Sequence, residues 1–360
     1  MRLACSAAAL LVILGAEAKA GSGDACSCKN LTSLQQEVEN ADYEKQFFKS
    51  LSERLKAIEA KQIETNKDPT NPDSGRSVLA VSSNARKDIM AKEFRLPHDP
   101  PDGYTGPKSV DLEAPACEQD PEQLKAMRNG SACKAIADIT VAHEAAHTAK
   151  CKADTPAVYW DRLPSALAAE EAERYTEQAK AMRAELKRVV DGSTVRVSAI
   201  MEPHLKAPQF DVTYSYVMDP FELSSNGSAG GDLSTFKGQG KQAGTIKRVK
   251  LAGMNCTPSG QLNDDVSMTM ETDGFTMGMK QSSHARPGDV RLKCKGGGGM
   301  SLRPQSDSGS GPVFQGEPLQ LSSTITQDVA DMPFAKLIRQ GGLSVDGKHV
   351  TTVDLICPGQ

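Results

Sequence analysis

The chain has 360 residues, with 42 Lys+Arg against 46 Asp+Glu and a formal charge of −4. Hydrophobic residues make up 38% and aromatic residues 4%, enough to bury a core in two or three domains and far too little for a membrane bundle. The mildly acidic balance excludes the basic footprint that nucleic-acid binding requires.

Met1 to Ala20 reads as a secretory signal. Arg2 is the positive start, Leu3 to Gly15 is an apolar run, and Ala18-Lys19-Ala20 is a small-x-small cleavage site. The run falls short of the roughly 20 apolar residues that span a bilayer. The mature chain is therefore expected to be exported, periplasmic or secreted, without an integral membrane span. Of nine cysteines, Cys5 leaves with the signal, and the even number left behind suggests disulfides. Cys26 and Cys28 are too close to bond each other and should reach separate partners. Cys117 with Cys133, and Cys256 with Cys294, are the candidate pairs.

Residues 31 to 64 form an amphipathic helix or helical hairpin, because Leu31, Leu34, Val38, Ala41, Phe48, Leu51, Leu55 and Ile58 recur three and four apart. Asp68 to Gly75 is a breaker cluster and a linker. A short strand at Val78 to Ser82 and a short helix are expected next, then an irregular passage from Pro97 to Pro107. Two helices follow, one from Cys133 to Lys150 and one from Ser165 to Val190, the second closed by Asp191-Gly192. Beyond Gly192, Val195, Val197, Ala199 and Met201 alternate with polar residues, as do Val212, Tyr214, Tyr216 and Met218. This part reads as a β-rich sandwich or barrel, with loop tips at Gly296 to Gly299 and Ser306 to Gly311.

The chemistry is carried by His143-Glu144-Ala145-Ala146-His147. Residues four apart stack on one helix face, so His143 and His147 can turn an imidazole nitrogen each to one zinc ion. Glu144 can address a water on that metal as general base. A catalytic zinc needs a third protein ligand and an open fourth position. Cys151 continues the series, but at 1.5 Å per residue it lies about 12 Å along the axis from His143. It reads instead as a disulfide half. The ligand should come from the second helix, where Glu170, Glu171, Glu173 and Glu177 compete. Leu167, Glu171, Tyr175, Met182, Leu186 and Val189 share one stripe, with Glu170 at its edge and Glu173 and Glu177 on the solvated face. Coordination would remove the cost of burying the Glu171 carboxylate, and so would a neighbouring cation such as Arg174.

His143, Glu144, His147 and the following Glu171 resemble the gluzincin branch of the zincin metallopeptidases, in which this motif is completed by a Glu on the next helix. The resemblance implies a peptide-bond hydrolase with one Zn2+, acting on a peptide or protein. It also implies a Tyr or His that stabilises the oxyanion, for which Tyr159, His204, Tyr214 and Tyr216 are open choices. An Asp one turn beyond the ligand Glu commonly buttresses a ligand His in such families; here that position is Tyr175. The expected fold is a multidomain α+β chain: N-terminal amphipathic helices over 21–75, a zincin-like helical metallopeptidase core over 76–192, and the β-rich module over 193–360. The competing reading is a disulfide-stabilised envelope or secreted binding protein whose peptidase-like part is inactive.

Overall fold

A computed structural model of the protein describes residues 25–91, 101, 104, 121–154, 162–225, 232–285, 290–296, 299–302 and 308–358. The signal at 1–20, most of the 97–107 passage, Cys117, Tyr159 and part of both glycine-rich loop tips lie outside them. The described chain forms two compact units, one of Ser33–Glu185 with Cys26 and the other of Ser27–Thr32 with Leu186 onward.

The first unit is helical. Helix α1, Leu31–Thr65, is a single 35-residue rod, not a hairpin. The apolar spacing read from the sequence puts Leu34, Val38, Ala41, Phe48, Leu51 and Leu55 in the interior. Helix α2, Val78–Ala91, stands where a short strand was expected. The run Val78-Leu79-Ala80-Val81 has no alternating polar partner, and as a helix it lays Ala85 and Ile89 on the α1 core. Helices α3, Pro121–Gly130, α4, Lys134–Asp154, and α5, Pro164–Asp191, complete the series. Tyr43, Phe47, Phe48, Leu51 and Leu55 of α1 pack with Ala168, Ala172 and Tyr175 of α5. Buried Glu59 of α1 accepts hydrogen bonds from the backbone N–H of Ser165 at 3.1 Å, from the Ser165 hydroxyl, and from the Ser82 hydroxyl at 2.6 Å. Ser52 of α1 returns one to the Ser165 carbonyl at 2.8 Å. No zincin-like helical core is evident: α5 packs on α1, a long rod supplied from the N-terminal side of the chain.

The second unit is a single antiparallel sheet of 11 strands. Its first half is β1, Thr194–Ala207, β2, Phe210–Ser225, β3, Ser234–Leu251, β4, Met254–Ser259, and β5, Leu262–Thr272. Then come β6, Thr276–Ala285, β7, Val290–Cys294, β8, Gly299–Leu302, β9, Ser308–Pro318, β10, Ser322–Asp328, and β11, Ser344–Ile356, with helix α6, Pro333–Gln340, before the last strand. The expected sandwich or closed barrel is not formed; the sheet curls into a half-barrel. Strand β3 is where the sheet divides. One edge of this 18-residue strand pairs with β2, while the other is divided between β5 at 234–244 and β4 at 249–251. The sheet therefore forks at β3.

Disulfides Cys28–Cys357 and Cys256–Cys294 fasten this unit, the second across directly paired residues of β4 and β7. Cys26 bonds Cys133 in the helical unit, so the expected Cys117–Cys133 pair is not formed. Cys151, buried near the end of α4, is also disulfide-bonded. These bonds are compatible with an oxidising compartment. Among the described residues, no helix is long and apolar enough to cross a membrane.

One glycine of the sheet is irreplaceable. Gly347 has φ +121°, and a Cβ there would meet the Glu202 carbonyl oxygen of β1 at 2.0 Å. Gly347→Ala is expected to lower stability by about 2 kcal/mol or more, from backbone strain and from forced separation of β1 and β11. A denaturant melt of the variant beside the native protein checks this.

Candidate metal centre

Helix α4 forms because Ile136, Ala137, Ala142, Ala145 and Ala146 are helix-compatible, and it turns Ile136, Ala137, His143, His147 and Cys151 inward. Helix α5 brings up Glu171. The Nε2 atoms of His143 and His147 lie 3.2 Å apart. Glu171 Oε2 is 3.5 Å from the first and 3.3 Å from the second. Two ligands held about 2.05 Å from a tetrahedral centre are separated by about 3.3 Å. The three atoms thus form a nearly equilateral triangle of the size of one face of a coordination tetrahedron. This group could hold a metal ion. It meets no rival on α5: Glu173 and Glu177 are exposed, and Glu171 faces the imidazoles instead of Arg174.

The neighbouring acid, Glu170, takes the opposite side of His147. Its Oε1 lies 3.2 Å from His147 Nδ1, and its other oxygen is clamped by Arg162. A carboxylate on Nδ1 keeps a proton on that nitrogen, so that a metal displacing the proton on Nε2 would meet its lone pair within the triangle. Glu170 and Glu171 are adjacent in sequence but straddle one imidazole, each addressing a different ring nitrogen.

The charges agree with this geometry. Burial opposes a proton on His147, but the hydrogen bonds to Glu170 and Glu171 outweigh it and hold the group up at about 9. Burial likewise pushes the Glu171 carboxyl up, and its bonds to His143 and His147 more than reverse that, to about 2. Glu170 is lowered as well, its burial outweighed by His147 and Arg162. The metal-free cluster is thus an imidazolium between two carboxylates.

Tyr175 packs its ring on His143, with centroids 4.6 Å apart, and stacks its other side on Phe48 at 5.6 Å. It walls the site, and burial keeps its phenol well above the usual range. His143 Nδ1 is buried without a hydrogen-bond partner among the described residues. Glu144 is half-buried beside His143, and its charge is felt at both His147 and Tyr175.

Three groups near the cluster escaped the sequence reading. Arg162 is one, fixing Glu170. Glu44 of α1 is another: it is buried, its Oε1 accepts a hydrogen bond from the Tyr104 hydroxyl, and its Oε2 has no partner among the described residues. Burial raises the Glu44 carboxyl, the Tyr104 bond lowers it, and the Glu171 charge raises it again, to about 7. The third is Tyr104, which leans edge-on against Tyr43 at 4.8 Å. Glu44 and Tyr104 lie many residues from the motif, and no local pattern marks them. Of the oxyanion choices, Tyr159 lies outside the described residues. His204 is engaged by Asp211 and Asp346 at 3.1 Å each, and Tyr214 and Tyr216 stack on each other within the sheet unit.

No family model, curated protein or solved structure matches the chain, so the cluster's own geometry carries the functional reading.

Proposed function

We propose that the protein is an exported zinc-dependent peptidase in which His143, His147 and Glu171 hold one Zn2+ and Glu144 is the general base. The observation that carries the reading is the triangle of two imidazole nitrogens and one carboxylate oxygen with edges of 3.2, 3.3 and 3.5 Å. Two nitrogens with one oxygen suit zinc, whereas calcium and magnesium favour all-oxygen sets. Three protein ligands leave the fourth position for water or substrate, the pattern of a catalytic rather than a structural site. When bound, zinc supplies a Lewis acid that brings the pKa of a coordinated water near neutrality.

The residues then divide the work. Glu170 holds a proton on His147 Nδ1, so that its Nε2 stays a ligand. Glu144 accepts a proton from water at its carboxylate and returns it to the departing amine. Tyr175 and Phe48 exclude solvent beside His143. The peptide bond as substrate rests on the resemblance of the His-Glu-x-x-His motif and its following Glu.

The test uses the mature chain purified with its metal. One zinc per chain and hydrolysis of a casein-type substrate are expected. Glu144→Gln should keep the zinc and lower turnover by about 10²–10⁴-fold, the usual contribution of a positioned acid–base group. A native chain without zinc, or a Glu144→Gln variant as active as the native protein, overturns the proposal.

A further inference from the structure

Glu170 and its clamp Arg162 also line an open recess of about 360 Å³. Four cations reach its wall: Lys56 from α1, Lys150 from α4, Arg162, and Arg174 from α5; Glu170 and Glu173 are the acids there. Arg162 is engaged by Glu170, and Lys150 is bonded to Asp154 at 2.9 Å. Glu173 is exposed. Four cations against two acids leave the wall a formal surplus of two positive charges, and Lys56 and Arg174 are the cations without an ion-pair partner among the described residues. Arg174 Nε is moreover buried with no acceptor among the described residues.

We infer that this recess binds a small oxyanion of the sulfate or phosphate class. Arg174 is its main ligand, Lys56 supplies a second charge, and Arg162 can be recruited from Glu170. A guanidinium presents paired donors in one plane and takes two oxygens of such an anion at once. An oxyanion would pair with the charge of the Arg174 guanidinium and offset the surplus on the wall. The site stands on residues outside the ligand triangle and goes beyond the peptidase reading.

Sulfate is the probe, titrated calorimetrically into the metal-free full chain against chloride at equal ionic strength. Saturable one-site binding is expected. The Lys56→Gln/Arg174→Gln double variant should bind at least tenfold more weakly. Glu170→Gln removes the acid that competes for Arg162, so it should bind several-fold more tightly. Lys56→Gln alone changes an exposed residue and keeps the test open if the double variant does not fold; about threefold weakening is expected of it. Sulfate behaving as chloride does, or binding that these variants leave unchanged, overturns the inference. Because the chain is metal-free throughout, that failure is distinct from a failure of the zinc site.

Discussion

Replacing Glu171 with alanine is expected to abolish the proposed one-per-chain binding of zinc, with an affinity loss of about 10²-fold or more. Zinc in a four-coordinate structural site is worth about 10–16 kcal/mol at neutral pH, or roughly 3 kcal/mol for each ligand. The loss should depend on pH in a direction that follows from the cluster. In the metal-free chain His147 is held at about 9 and Glu171 at about 2. Below about 9 the metal must displace a proton from His147, so zinc affinity should rise with pH and level off above that value. Metal-free stability runs the other way. The His147 contribution is complete below its unfolded value of 6.5 and is lost as the pH climbs through about 9. The melting temperatures of loaded and metal-free protein should therefore draw apart between pH 6.5 and about 9. Chelator-buffered titration at three pH values, with melts of both forms, reads the whole pattern. Undiminished zinc in the Glu171→Ala variant removes that residue from the ligand set.

The second large effect belongs to a residue that does not itself meet the metal. Glu170→Gln is expected to weaken zinc binding by about 10–100-fold, the usual consequence of losing the partner that orients a ligand imidazole. The amide would keep the shape of the side chain but lose the charge that holds the proton on His147 Nδ1 and pairs with Arg162. Glu173→Gln is the matched control: it lies on the exposed face of the same helix, three residues on, and should bind zinc as the native chain does. Equal losses in both variants would mean that charge near α5, and not the contact with His147, sets the affinity.

Much of this centre was legible in the chain because a helix converts spacing into direction. His143 and His147 face one way on any helix, and the phase of α5 separates Glu171 from the exposed Glu173 and Glu177. That phase could not foresee that Glu170, at the stripe's edge, takes the other ring nitrogen of His147. Its role depends on where α4 lies, which no single-helix pattern contains. Glu44 and Tyr104 were invisible for the same reason, being brought in by tertiary packing alone. The strands were marked by alternation, but the fork at β3 depends on how one edge is shared between β4 and β5, and alternation carries no information about neighbours. The Cys117–Cys133 pairing failed because nearness in sequence is a poor guide to nearness in a fold built on a 35-residue rod.

The Glu59 carboxylate has a consequence for how firmly the N-terminal rod is held. Three donors from Ser165 and Ser82 converge on it inside the helical unit, and Cys26 is bonded to Cys133. A protease nicking the link between α1 and α2 would free neither end of the rod, since one is covalently tethered and the other anchors the start of α5. Stripping it away would strand buried hydroxyl and amide groups and bare the aromatic side of Tyr175. Removal of this helix would therefore carry a large energetic cost, set by the buried donors on Glu59 and the aromatic contact of Phe48 with Tyr175.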